Sequence, residues 1–246
     1  SFGGAPHKPI LLLSVIDAIE KSFINSERIY ITAELISLFK SNWKLLVQTP
    51  HIMNITPPFY HLSNEPFWQL SIKIGRTIPL SSSKSIKSFK SLMDSVNYAI
   101  IDKELFYYLS DDADREMLRN TLIAKYFPTT ESYVTGDLSY LDIVAEQILN
   151  DSAIQYKKTI RQIQDENKDG LEEEIFVRNN VFKKTIPLVY EHTCSISGLK
   201  IKSDYGHSLV DACHIIPFHI EHDDTIGNGI ALSPTLHRAF DNGLIT

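Results

Sequence analysis

The chain has 246 residues, 43% hydrophobic and 22% charged, which allows a sizeable core and excludes a wholly disordered polyelectrolyte. Two cysteines make no disulfide framework, and apolar runs such as ILLLSVI at 10–16 are too brief to span a bilayer, so a cytosolic protein with no membrane partner is expected. The net charge of −6 sets the average against a polyanion, so such a partner has to be met by a local patch.

In chain order, HKPILLLSVIDAIEKS at 7–22 places apolar residues at helical spacing, with Pro9 tolerated in the first turn. ERIYI at 27–31 predicts a short strand. TAELISLFKSNWKLL at 32–46 predicts a helix capped by Thr32, with Leu35, Leu38 and Phe39 on one face. FYHL and FWQLSI, on either side of SNEP, predict a hairpin of aromatic-rich strands. Residues 66–93 contain no Asp or Glu but carry Lys73, Arg76, Lys84, Lys87 and Lys90 among many serines. Such a stretch either holds phosphates or is a solvated face. From 85 to 127 the pattern is helical, as in SFKSLMDSVNYAII and DREMLRNTLIAKYF, and Pro128 stops it. Residues 138–169 are polar and helix-prone, with Gly170 as a stop. Residues 172–198 predict a further helix and a turn at Ser197-Gly198.

The last few dozen residues are unusual. Six of the nine histidines lie between His192 and His237. HSLVDACHIIPF predicts a strand with Val210, Ala212 and His214 on one face and Asp211 and Cys213 on the other. Pro217 breaks it, HDDTIGNGIALS is loop-like, and SPTLHRAFDNG predicts a short helix with Ser233 as N-cap, Pro234 at its first position and Gly243 as stop. On that helix His237 and Asp241 stand four residues apart and face the same way. A lone histidine is more often structural than a ligand. His, then Asn, then His within strand, loop and helix is far more specific, and can enclose one metal ion.

The pieces C-x-I-S-G, D-A-C-H-I-I-P, N-G-I-A-L and L-H-R-A-F-D-N-G-L, in order over Cys194 to Thr246, resemble the HNH nucleases of the ββα-metal class. The resemblance implies hydrolysis of a phosphodiester with a divalent metal, Mg²⁺ or Mn²⁺. His214 falls on the general base, Asn228 on the residue that pins the loop and orients that base (in some members an Asn touches the metal instead), and His237 on a metal ligand. A neutral imidazole suits proton removal from the attacking water. A metal ion beside the phosphate suits the charge that develops. Many members carry Asp directly before the first His, where this chain has Cys213, a poor ligand for an oxygen-seeking ion. Asp211 and Asp241 are both candidates for the second ligand. Some members also hold a structural zinc between C-x-x-C pairs. Here Ser197 stands where the second Cys would be, His192, His207, His219 and His222 make no standard zinc spacing, and a structural zinc is not expected.

FGGAPHKPILLLSVIDAI followed by TPPFYHL and FWQL resembles the sulfur-binding domain attached to HNH nucleases of the McrA type, which recognises phosphorothioate DNA. The resemblance covers about residues 1–133 and implies that Pro58 and Tyr60 line a cup for sulfur, in a stretch where Phe59 and His61 add an aromatic edge and a donor. His7 and Lys8 would hold neighbouring phosphates, and basic residues such as Lys73 and Arg76 would extend the groove. An apolar cup admits weakly hydrated sulfur and penalises oxygen, by roughly 1–3 kcal/mol for an uncompensated buried polar group. Phe59 and Tyr60 can equally be core. This chain has Thr56-Pro57-Pro58-Phe59 where that family often has Tyr-Pro-Phe.

The expectation is therefore an α+β protein: a mixed helix and small-sheet DNA-reading domain at 1–133, a helical linker at 134–170 and a ββα-metal nuclease domain at 171–246. It would be a modification-dependent restriction endonuclease acting on double-stranded DNA, with a homodimer expected because two strands must be cut. The alternatives are an HNH nuclease that reads 5-methylcytosine or plain sequence, and a non-catalytic DNA-binding regulator.

Overall fold

The computed structural model describes residues 5–82, 84–130, 132–166, 170–200, 203 and 208–245. Two compact units follow one another along the chain, Ser1–Tyr140 and Leu141–Thr246. No described helix is long and apolar enough to cross a membrane.

In the first unit, α1 (His7–Glu20) packs on α2 (Ala33–Leu46). Thr32 caps α2 by accepting the Leu35 N–H at 3.2 Å, and Leu35, Leu38 and Phe39 are buried as their spacing predicts. Three short strands form an antiparallel sheet: β1 (Arg28–Ile29) and β2 (Trp68–Ile72) flank β3 (Val96–Ile101). The rest is helical: α3 (Thr56–His61), α4 (Phe89–Ser95), α5 (Lys103–Ser110) and α6 (Asp112–Tyr126).

Two expectations are corrected here. FYHL is not the first arm of a hairpin but the end of α3 and the 3₁₀ turn that follows. Pro57 and Pro58 sit in its first turn, where their fixed φ favours helix and their missing N–H groups are not needed. The Asn54 carboxamide oxygen accepts the Thr56 N–H at 2.9 Å and starts that turn. Likewise VNYAII is not helical but the central strand, since its β-branched and aromatic residues fit a sheet paired on both edges.

The first unit also buries a polar cluster. Asp17, at 0% exposure, accepts hydrogen bonds from Asn42 Nδ2 at 2.7 Å, the Tyr133 hydroxyl at 2.8 Å and the Gly136 N–H at 3.1 Å. Arg119 of α6 approaches it at 3.4 Å. A Cβ at Gly136 would lie 3.0 Å from Asp17 Oδ2 and 3.2 Å from Asn42 Oδ1, so only glycine comes this close.

The second unit begins within α7 (Ser139–Asn150) and continues with α8 (Ala153–Glu166) and α9 (Leu171–Val189). The stretch 134–170, expected as a linker, is therefore divided. Gly136 is held by Asp17, while Tyr156 of α8 is fully buried in the second unit with its hydroxyl on Asp224. β4 (Asp211–His214) and β5 (Gly229–Leu232) pair antiparallel, with Cys213 opposite Ile230 and His214 opposite Gly229. The short α10 (Phe218–Glu221) lies between them, and α11 (Pro234–Asp241) ends the order β, β, α. A third of the expected loop at HDDTIGNGIALS, Gly229–Leu232, is thus strand. GIAL pairs with DACH because Ala231 and Leu232 are wholly buried and their backbone needs partners. Ser233 occupies the cap position of α11 without a side-chain cap bond, and Gly243 adopts φ +66° just past its end.

Candidate active site

α9 packs on both strands of the β4–β5 ribbon. Gly229 permits this, since a Cβ there would lie 2.4 Å from Ile186 Cδ1 and 3.1 Å from Phe182 Cε2. Phe182, fully buried, stacks flat on the His214 ring at 4.0 Å between centroids and 4° between planes. His214 Nε2 lies 2.7 Å from Asp224 Oδ1. The aromatic face and the carboxylate together fix both the plane and the rotation of the imidazole.

Asn228 is 6% exposed and spends its side chain on backbone. Its Oδ1 accepts the Ile216 N–H at 2.8 Å, and its Nδ2 donates to Ile216 O and Asp223 O, each at 2.9 Å. Its own carbonyl accepts the Ile215 N–H at 2.8 Å. One amide thereby ties the residues after His214 to the loop that carries Asp224.

His237 lies between two carboxylates, with Nδ1 3.6 Å from Asp211 Oδ2 and Nε2 3.4 Å from Asp241 Oδ2. His214, His237 and Asp241 line one open cleft of about 240 Å³, together with Asn179, Phe182, Lys183, Ala212, Pro217 and Phe218. The two histidines the sequence singled out therefore share a cavity wall, although they sit on a strand and a helix.

Among the described residues, Cys213, His237 and Asp241 form the one group whose ligand atoms converge, all within 4.8 Å of one another. Within it, the Asp241 carboxylate and one His237 nitrogen suit a hard divalent ion. Ligands at about 2.1 Å on one octahedral centre sit roughly 3 Å apart, close to the carboxylate–imidazole separations seen here. Cys213 is the odd member. Burial, with the neighbouring Asp241 charge, pushes its thiol up to about 12, and the sulfur lies 3.7 Å from Asp241 Oδ1 as a donor. It is thus a neutral thiol that steadies Asp241 rather than a thiolate. Only one nitrogen of His237 can bind an ion. The other can donate to the second carboxylate, which orients the ring.

Cys194 is buried, and burial opposes its ionisation. Hydrogen bonds from the Ser197 hydroxyl and from backbone N–H groups of Ser197, Ser233 and Ile196 outweigh this and draw its thiol down to about 6. Cys194 belongs to no convergent ligand group among the described residues, and His207 lies outside them.

The expected reading residues of the first unit are dispersed in environment. Phe59 is at 0% exposure, edge-on to Trp68 at 5.3 Å, and Pro58 is buried too. Both are core rather than an open cup, because α3 turns this side of the helix inward. Tyr60 and His61 remain half-exposed. His61 lies 3.0 Å from the Ser85 hydroxyl, and burial, with Lys8 nearby, lowers its pKa. Lys8 pairs with Glu65 at 2.7 Å. His7 lies 2.8 Å from the Ile52 carbonyl and against Trp43, and burial lowers its pKa. Lys73 donates to the Met93 carbonyl at 2.5 Å, while Arg76 is exposed.

Sequence reasoning passed over Phe182, Lys183, Asp224 and Tyr156. The Asp223-Asp224 doublet four residues before Asn228 was a visible signal. Nothing in the sequence pointed to Tyr156, 68 positions from its partner. No curated protein matches this chain. Residues 194–246, which carry His214, Asn228, His237 and Asp241, match the family model HNH_2, described as HNH endonuclease.

Proposed function

We propose that this protein is a modification-dependent DNA restriction endonuclease. The HNH domain hydrolyses phosphodiester bonds of double-stranded DNA, and the first unit reads a phosphorothioate mark. The observation that carries the nuclease half is the shared cleft of His214, His237 and Asp241. His214 takes the proton of a water as its oxygen attacks phosphorus. Asn228 keeps the base on its strand, and Lys183 on the rim can face a phosphate oxygen. His237 and Asp241 would hold Mg²⁺ or Mn²⁺, with Asp211 orienting the His237 ring from its other nitrogen. A bound divalent ion supplies a Lewis acid for the charge on the phosphorane and the leaving 3′ oxygen.

The specificity half rests on the half-exposed Tyr60 and His61 beside a segment that carries exposed Arg76, Lys84 and Lys87. The burial of Pro58 and Phe59 favours a second reading, in which the same nuclease responds to 5-methylcytosine or to plain sequence.

The test is digestion of phosphorothioated, methylated and plain plasmid, with and without Mn²⁺, by the wild-type chain and His214→Ala. Metal-dependent cutting of the phosphorothioated plasmid alone is the expected result. The His214 variant should lose about 10²–10⁴-fold in rate while still retarding the same DNA in a gel. Equal cutting of all three plasmids overturns the sulfur reading. A His214 variant as active as wild type overturns the assignment of the base.

A further inference from the structure

His214 does not meet the cleft alone. Its Nε2 is engaged by Asp224 Oδ1 at 2.7 Å, and the Asp224 side chain is 1% exposed. The other carboxylate oxygen accepts the Tyr156 hydroxyl at 2.9 Å, and Tyr156 is itself at 0% exposure. Burial and the Asp224 charge push the Tyr156 pKa well upward, so the phenol stays neutral and donates. Behind it, the Arg178 guanidinium lies 5.2 Å over the Tyr156 ring and pairs with Glu174 at 2.8 Å. The chain of contacts runs from α9 and α8 through a buried acid to the imidazole.

Asn228 makes this acid and this base one body. Its amide holds Ile216, two residues after His214, and Asp223, the residue before Asp224. Asp223 is occupied otherwise, since its Oδ1 accepts the Thr225 N–H at 2.9 Å. The groups that face His214 are therefore Asp224, Phe182 and Phe218, with Lys183, His237 and Asp241 lining the same cleft.

We propose that Asp224, fixed by the Tyr156 hydroxyl, is the positioning residue for the base: it holds His214 with hydrogen on Nε2 and keeps the Nδ1 lone pair for the cleft. A carboxylate only accepts, so Nε2 facing it must carry the hydrogen, and a neutral imidazole has one lone pair left, on Nδ1. The wrong tautomer would aim an N–H at the incoming water, and a freely turning ring would spend part of its time misaimed. The catalytic meaning of this arrangement rests on the nuclease reading above; the tautomer itself does not.

The experiment has two independent arms on the full chain. In the first, long-range ¹H–¹⁵N spectra of uniformly ¹⁵N-labelled protein at neutral pH read which His214 nitrogen bears hydrogen. Wild type should show hydrogen on Nε2, and Asp224→Ala a mixture of tautomers. Hydrogen on Nδ1 in the wild type overturns the proposal. In the second arm, Asp224→Ala should lower kcat by about 10–100-fold with KM nearly unchanged. Asp224→Asn, whose amide oxygen can still accept from Nε2, should recover part of that loss and keeps the arm readable should the Ala variant not fold. Tyr156→Phe should cost only a few-fold. Asp224→Ala at wild-type kcat overturns the proposal. If the wild-type chain cuts no DNA under any condition, the first arm still decides the tautomer, and the nuclease reading falls separately.

Discussion

Asp17 in the first unit and Asp224 in the second are both at 0% exposure, and each gives one oxygen to a tyrosine hydroxyl, from Tyr133 at 2.8 Å and from Tyr156 at 2.9 Å. They differ in what takes the rest. Around Asp17 every further partner is enclosed or structural: Asn42, the Gly136 N–H and Arg119, which is 5% exposed in its side chain. Around Asp224 the other oxygen goes to His214, whose side chain is 18% exposed and lines a cleft. The same buried carboxylate is closed in one place and open at one end in the other. A closed network fixes architecture, because a buried polar group must be satisfied. An open one can pass its order to a group that meets solvent and substrate.

The comparison breaks most sharply at Asp17. Asp17→Ala removes the acceptor for Asn42, Tyr133 and Gly136 and one of the carboxylates facing Arg119. Breaking such a buried pair should destabilise the chain by about 3–5 kcal/mol in denaturant unfolding. At temperatures where the variant remains folded, its kcat on DNA should match wild type. A variant that loses rate without losing stability would erase the contrast between the two acids.

Gly229→Ala comes next, and acts on the open network through packing alone. The added Cβ would fall 2.4 Å from Ile186 Cδ1, 2.9 Å from Ile186 Cγ1 and 3.1 Å from Phe182 Cε2, and both side chains are at 0% exposure. Overpacking of this kind costs about 1–3 kcal/mol. Since Phe182 carries the His214 ring on its face, kcat should fall along with stability, unlike in the Asp17 variant. Unchanged cleavage by a destabilised Gly229→Ala protein would show that the ring stack does not position the base.

The two networks were unequally legible in the sequence. The helix at 33–46 could be read because its cap, Thr32, and its apolar spacing are local signals. The order His214, Asn228, His237 could be read because chemistry concentrates in a short segment with few alternatives. FYHL could not be read correctly by aromatic content alone. The two prolines before it set the backbone into a helical turn, and the same aromatic residues serve a buried helix face as well as a strand. The strand VNYAII was hidden because its pairing partners lie at 28–29 and 68–72, information no local window holds. Asp224 and Tyr156 meet across 68 positions, and Asp17 and Tyr133 across 116, so neither pairing is visible in a local window.

The smallest expected effect concerns protons on the closed network. Burial raises the Asp17 pKa above the ordinary carboxylate range, against the lowering pull of Asn42, Tyr133, Gly136 and Arg119. The facing groups are therefore Asn42 on α2, Tyr133 and Gly136 after α6, Arg119 on α6 and Glu20 on Asp17's own helix. A carboxyl whose folded pKa exceeds its unfolded one favours folding while protonated. That contribution is complete below the unfolded carboxylate range and is lost as pH rises through the folded midpoint. Asp137 acts oppositely: hydrogen bonding to Ser139 lowers its pKa, so its contribution is lost on acidification. The raw stability curve mixes the two, and Asp17→Asn separates them because the amide cannot titrate. The stability advantage of wild type over Asp17→Asn should narrow as pH is raised from the acid limb through the carboxylate range, then level off. Urea unfolding of both proteins across that range reads the gap directly. A gap that widens with pH would mean that Arg119 and the hydrogen-bond donors outweigh burial. Asp17 would then be a fold-stabilised anion, a closed network held by charge rather than by a shared proton.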